Sequence, residues 1–351
     1  MKLATYKDGS RDGQLVVVSR DLTTAHYATG IASRLQQALD DWNFISPQLQ
    51  DLSDALNQGR ARHPFPFDAA RCMAPLPRAF QWLQGQAYLD HLALQRAAAG
   101  QGELPARWRS EPLMREGGGD ALLGPGDALQ VADEAFDIDF GAGLAAITGD
   151  VPMAATPEQG LDAVRLLVLV NVFTLRAVAA DEAALGSGPL QGQPATAFGP
   201  VAVTPDELGT AWQGGRVQLA LQTSCNGRKF GLCDAGAGMH FHFGQLIAHA
   251  ARTRRLGAGT LVGGGVVSQP GTEADGRPGW PRGHACIADK RAAEALQGGA
   301  PATGYLRFGD RVRIEMRGHA GEPLFGAIDQ AVRGFGVAAP PPAQAPEAGA
   351  H

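Results

Sequence analysis

Leu166-Leu-Val-Leu-Val-Asn-Val-Phe173 is a nearly unbroken apolar run. It falls far short of the roughly 18 apolar residues that a membrane span needs, and it reads as a strand buried on both faces. Just upstream, Thr156-Pro157-Glu158-Gln159 offers a capping hydroxyl, an N1 proline and a glutamine at N3. That pattern predicts a helix start leading into the strand. Downstream, Val217, Leu219 and Leu221 alternate with Arg216, Gln218 and Gln222, the period of a half-buried strand. Asn226-Gly227 then supplies the residues of a tight hairpin turn. Val312, Ile314 and Met316 alternate with Arg311, Arg313 and Glu315 in the same way. Strands joined by few, short helices predict a mixed, strand-dominated core and argue against a doubly wound sheet.

Nearer the N-terminus, Leu15-Val16-Val17-Val18 reads as a short strand between turn-rich flanks. A helix is expected from about 33 to 41. Ser46-Pro47 offers a cap and an N1 proline for a second helix, whose apolar face is Leu49, Leu52 and Leu56. The stretch 59–67, with Pro64 and Pro66, reads as a linker. A further helix is expected from about Gln86 to Ala99, closed by Gly100. The organisation read from the sequence is a small N-terminal domain over 1–70, a main domain over 71–335, and a disordered Ala/Pro-rich tail over 336–351.

The chain has 351 residues, 44% hydrophobic and 19% charged, with a formal net charge of -5. That composition fits an ordinary globular protein and provides no basic footprint for nucleic acid. No membrane span and no signal peptide are expected, and the four scattered cysteines read as reduced thiols of a cytoplasmic protein.

The run Ala74-Pro-Leu-Pro-Arg-Ala-Phe-Gln-Trp-Leu-Gln-Gly-Gln-Ala-Tyr88, with His91 behind it, resembles the bacterial members of the fumarylacetoacetate hydrolase family. So do Asp139-Phe140, Ala145 to Met153, Ala197 to Leu208, Gln245 to Ala251 and Tyr305 to Met316, all in order. The resemblance implies an α+β, mostly β fold, a mixed β-roll with a small N-terminal domain, and a homodimer. It also implies cleavage, hydration, decarboxylation or isomerisation of oxo and diketo acids. There a divalent magnesium or manganese polarises the substrate, held by a Glu-x-Glu pair and an Asp.

This sequence departs from that pattern at all three ligand positions. Gly141 and Gly143 stand where the two glutamates belong, and Val172 stands at the aspartate. Gln193 replaces a lysine, Val266 a threonine, His284 a tyrosine and Arg115 another tyrosine. The glutamate that assists the histidine from the same helix is absent, because Ala93 and Leu94 follow His91 and Leu92. His91 and Arg176 remain.

The expected catalytic group is therefore His91, Arg176 and Gln193, with Arg176 facing a substrate carboxylate or simply holding a structural one, and His91 lacking an orienting carboxylate. Arg115, Gly141, Gly143, Val172, Val266 and His284 are the expected substrate-binding residues. No metal and no cofactor are expected. The two glycines fit either drift or a cavity opened for a larger, less polar ligand. Asp137 and Asp139 would share a strand face with the two glycines if the segment is extended, as a displaced cation site or, more simply, as a solvated strand end. His240 and His242 form a His-x-His with no third ligand in view.

Two functions follow from this reading. One is a metal-independent enzyme performing retro-Claisen cleavage, cyclisation, isomerisation or dehydration on a diketo or oxo-acid-like small molecule, in secondary metabolism. The other is a non-catalytic binding or partner protein that keeps the fold.

Overall fold

The computed structural model describes residues 1–336, so the expected tail from 337 onward lies outside the described residues. Its architecture is α+β with strands predominating, as expected. The apolar run belongs to the strand Val164–Val172, which is buried almost throughout. Alternation divides its side chains between two cores. Leu167 and Leu169 join one apolar cluster, and Leu166, Val168 and Val170 join the other. A strand with apolar groups on both sides has no solvent face, so the sequence needs no polar alternation there.

Around this strand runs a sheet of eleven strands among the described residues. Val164–Val172 pairs antiparallel with Ala142–Thr148, which continues to Leu261–Gly263, Trp82–Gly85 and Met114–Gly117. On its other side the sheet passes through Ala202–Val203 to the N-terminal strands Lys2–Tyr6, Gln14–Val18 and Thr24–Tyr27. The N-terminal domain thus extends the central sheet. The stretch expected as a linker also takes part, because Phe65–Pro66 pairs with Thr24–Tyr27. A second, five-stranded sheet holds the hairpin Ala220–Cys225 and Arg228–Asp234, then Arg311–Arg317, Pro323–Gly334 and Leu129–Val131. Asn226 and Gly227, both at positive φ, form that hairpin's turn as predicted.

Seven α-helices decorate the sheets among the described residues: α1 Leu35–Asp40, α2 Trp42–Asn57, α3 Leu89–Ala98, α4 Pro157–Asp162, α5 Arg176–Ala184, α6 Phe243–Ala250 and α7 Ile287–Leu296. The capping box predicted at Thr156 and Gln159 starts α4. Gly100 follows the end of α3 at φ +66°, the left-handed conformation that glycine adopts without strain. The Ser46-Pro47 expectation requires correction: α2 begins at Trp42, its first turn closed by Asp41 carbonyl bonds to Phe44 and Ile45, and Pro47 lies inside the helix. No helix is long and apolar enough to cross a membrane among the described residues.

Candidate active site

Of the nine residues nominated from the sequence, seven line one cavity of about 180 Å³: His91, Arg115, Gly141, Val172, Arg176, Gln193 and Val266. The central strand Val164–Val172 supplies Val172, Gly141 stands just before the strand Ala142–Thr148, α3 supplies His91, and α5 begins at Arg176. Gly143 and His284 are not among the lining residues. Gly143 is pressed against the Gly265 carbonyl oxygen, which a Cβ there would strike. Its missing side chain therefore permits close backbone approach and opens no room for a ligand. His284 has its ring stacked on Trp280 at 5.7 Å, and burial pushes its imidazole pKa down.

His91 does have an orienting carboxylate, from an element that its own helix does not contain. Its Nδ1 donates to Asp289 Oδ1 at 2.7 Å, and Gln95 Nε2 donates to the same oxygen at 2.7 Å. Asp289 sits in the first turn of α7, where its backbone N–H bonds the Cys286 sulfur at 3.3 Å. The helix N-terminus favours an anion at this place. Burial pushes the Asp289 carboxyl up, yet the His91 charge and the bonds from His91 and Gln95 hold it below its ordinary value. Leu94 of α3 packs with Ala292 and Ala293 of α7, which fixes the two helices together. With Nδ1 engaged, Nε2 is the ring nitrogen left to act as a base towards the cavity. Asp289 lies 198 residues from His91, and no spacing in the sequence points to the pair.

Arg176 holds a structural carboxylate, the plainer of its two expected roles. Its Nε and Nη2 donate to Asp139 Oδ2 at 2.9 and 2.7 Å. Asp139 is fully buried, and it also accepts from Ile287 N at 2.7 Å and Ala288 N at 3.1 Å, the first amides of α7. Burial opposes the Arg176 charge, but the Asp139 carboxylate outweighs it and raises the pKa. The expected solvated strand end is therefore a buried ion pair joining α5 to α7. Asp137 does not share its face, because at φ 58° it is left-handed and ends a 3-10 turn.

The donor set does not fit the divalent metal that the resemblance implies. Gly141 and Gly143 have no side-chain oxygen and Val172 offers only carbon, so these three positions supply none of the carboxylates that such an ion takes. Among the described residues, one group of three metal-ligating side chains lies within 4.8 Å: His91, Cys286 and Asp289. These three are tied to one another by hydrogen bonds, and burial, followed by the charges of Asp289 and Asp139, keeps the Cys286 thiol protonated. His240 and His242 do not pair as ligands. His242 caps α6, while His240 bonds the Arg109 carbonyl.

Solved structures share this architecture at low sequence identity. A fumarylacetoacetate hydrolase from psychrophilic Exiguobacterium antarcticum matches at 17% identity and a TM-score of 0.63, covering 95% of this chain and 99% of its own. Maleylpyruvate hydrolase from Sphingobium sp. SYK-6, in complex with manganese(II) and pyruvate, matches at 15% and 0.61, covering 95% and 99%. A 2-hydroxyhepta-2,4-diene-1,7-dioate isomerase from Mycobacterium marinum matches at 15% and 0.58, covering 96% and 100%. Likeness at such identity establishes the fold alone. No curated protein sequence matches this chain. Family models do: fumarylacetoacetase N-terminal domain 2 matches residues 1–78, and the fumarylacetoacetate hydrolase C-terminal model matches residues 81–333. With both models matched in order over nearly its whole length, the chain belongs to the fumarylacetoacetate hydrolase family.

Proposed function

We propose that this protein is an enzyme that moves protons on a diketo or oxo-acid-like substrate without a divalent metal, with His91 and Asp289 as the working pair. The observation that carries this reading is the buried 2.7 Å bond between His91 Nδ1 and Asp289 Oδ1 at the edge of the cavity. A carboxylate on Nδ1 fixes the tautomer, stabilises the imidazolium and leaves Nε2 as the proton acceptor.

Removing a proton beside a carbonyl leaves negative charge on the carbonyl oxygen, and something must stabilise it. Hydrogen-bond donors placed at such an oxygen supply about 3 kcal/mol or more. The free donors near the cavity are the Arg115 guanidinium, the remaining N–H groups of Arg176 and the Gln193 amide. The same unit would serve enolisation, the first step shared by isomerisation, dehydration and retro-Claisen cleavage. Val170, Val172 and Val266 give the cavity an apolar wall suited to the carbon chain of such an acid. The resemblance implies a homodimer, the scattered cysteines suit the cytoplasm, and the setting proposed is secondary metabolism.

Solvent deuterium exchange at C3 of pyruvate and longer 2-oxo acids, followed by proton NMR, tests the reading. The wild-type chain should accelerate exchange on at least one of these acids, and H91N should abolish the acceleration. Equal exchange by wild type and H91N, or none by either, would remove His91 from the chemistry and leave a binding protein.

A further inference from the structure

We infer that Arg115 anchors the single negative charge of the ligand, and that the cavity thereby selects monoanionic acids with an apolar chain. This rests on reading the cavity as an oxo-acid site and names the class of acid it takes. Arg115 lies on Met114–Gly117, opposite Gln84 across the sheet, and lines the cavity. Its Nε donates to Gln84 Oε1 at 3.2 Å. Among the described residues it has no ion pair, and its terminal nitrogens have no hydrogen-bond acceptor. The neighbouring Glu116 does not serve it, being engaged by Gln81 at 2.7 Å and by Arg254 at 3.6 Å.

The second guanidinium of the cavity is already neutralised, because Arg176 places two N–H groups on the buried Asp139. The uncompensated charge facing the cavity is therefore that of Arg115. Burial, with the like charge of Arg176 added, lowers its pKa to about 10, so it remains a cation at neutral pH. A half-buried cation without a partner is costly, and a bound carboxylate relieves that cost through two parallel hydrogen bonds. One such cation accommodates one carboxylate. A second carboxylate on the ligand would find no second uncompensated cation, only neutral side chains and the N–H groups of an Arg176 already paired with Asp139.

Isothermal titration with 2-oxopentanoate, its neutral amide 2-oxopentanamide and the dianion 2-oxoglutarate tests the assignment. Wild type should bind 2-oxopentanoate at least tenfold more tightly than either of the others. In R115Q the acid and the amide should become equal within about twofold, through loss of acid affinity, whereas R115K should keep the acid ahead. A wild-type preference for the dianion, equal binding of acid and amide, or an R115Q chain that retains the tenfold preference would overturn it. The wild-type arms do not depend on any variant folding. A wild-type protein that discriminates among these ligands but exchanges no C3 proton would refute the proposed chemistry and leave the role of Arg115 standing.

Discussion

At the scale of single residues, the site is governed by two buried carboxylates that the sequence did not single out correctly. His91 was legible because it sits in a long matched motif. Asp289 was not, because its partnership is made by the packing of α3 on α7 and leaves no trace in local spacing. Asp139 was misread for a local reason: the left-handed backbone at Asp137 turns the chain, so period-2 reasoning does not apply across it. Each carboxylate supports a prediction. Replacing Asp289 with Asn keeps the shape but removes the charge that stabilises imidazolium, so any proton-transfer rate should fall about 100-fold. Steady-state kinetics or C3 exchange would measure that loss, and an unchanged rate would mean that the pair is structural. Asp139→Asn leaves Arg176 with a weakened partner beside a buried site, and urea denaturation should show a loss of about 3 kcal/mol. Gly143→Ala should also destabilise, by about 1–3 kcal/mol, because the new methyl meets the Gly265 backbone and no flexible side chain can yield. Gly141 has more room, with the nearest atoms, Val172 O and Val266 Cγ2, both at 3.1 Å from a Cβ placed there. Gly141→Ala should therefore cost less than Gly143→Ala in the same urea series.

Elements were more legible than the site, wherever the signal was short-range. The Thr156 capping box, the Asn226-Gly227 turn and the doubly buried strand Val164–Val172 each depend on residues within a few positions of one another. The second helix was placed late because Ser46-Pro47 carries a start signal that the fold does not use. Pro47, the sixth residue of the helix, forgoes one i→i−4 bond, and tertiary packing of Ile45, Leu49 and Leu56 decides where α2 begins. The pairing of Phe65–Pro66 with Thr24–Tyr27 was hidden by its two prolines, which local rules assign to a linker. The cap on α4 can be tested directly. Thr156→Ala removes the oxygen that accepts from Gln159 N, and should cost about 1 kcal/mol of stability with no effect on ligand binding.

For the whole molecule, pH should act through groups that folding buries. Burial pushes Cys72 and Tyr6 up to about 12 and Cys233 to about 11. A group whose pKa rises on folding stabilises fully below its unfolded pKa, 9.0 for the thiols and 10.0 for Tyr6, and that contribution is lost as the pH climbs through the folded value. Lys2 works the other way: burial lowers it to about 8 from 10.5, so across that window it adds stability as the pH rises. Several acidic groups outweigh one lysine, and melting under reducing conditions should show a Tm that falls steadily above about pH 9.5. The fold itself was legible almost end to end, because the ordered motifs fix it together, whereas the expected replacement of metal ligands could be read only as absences. What now stands in their place is a histidine backed by a carboxylate from another helix, an arginine neutralised by a second carboxylate, and an arginine left free. The central claim is that chemistry here needs no divalent metal. Metal analysis of the purified protein, coupled to C3 deuterium exchange with and without EDTA, tests it most directly. The account predicts far less than one magnesium or manganese per chain and a rate that EDTA leaves unchanged; one bound ion per chain, or exchange lost on chelation and restored by magnesium, would contradict it.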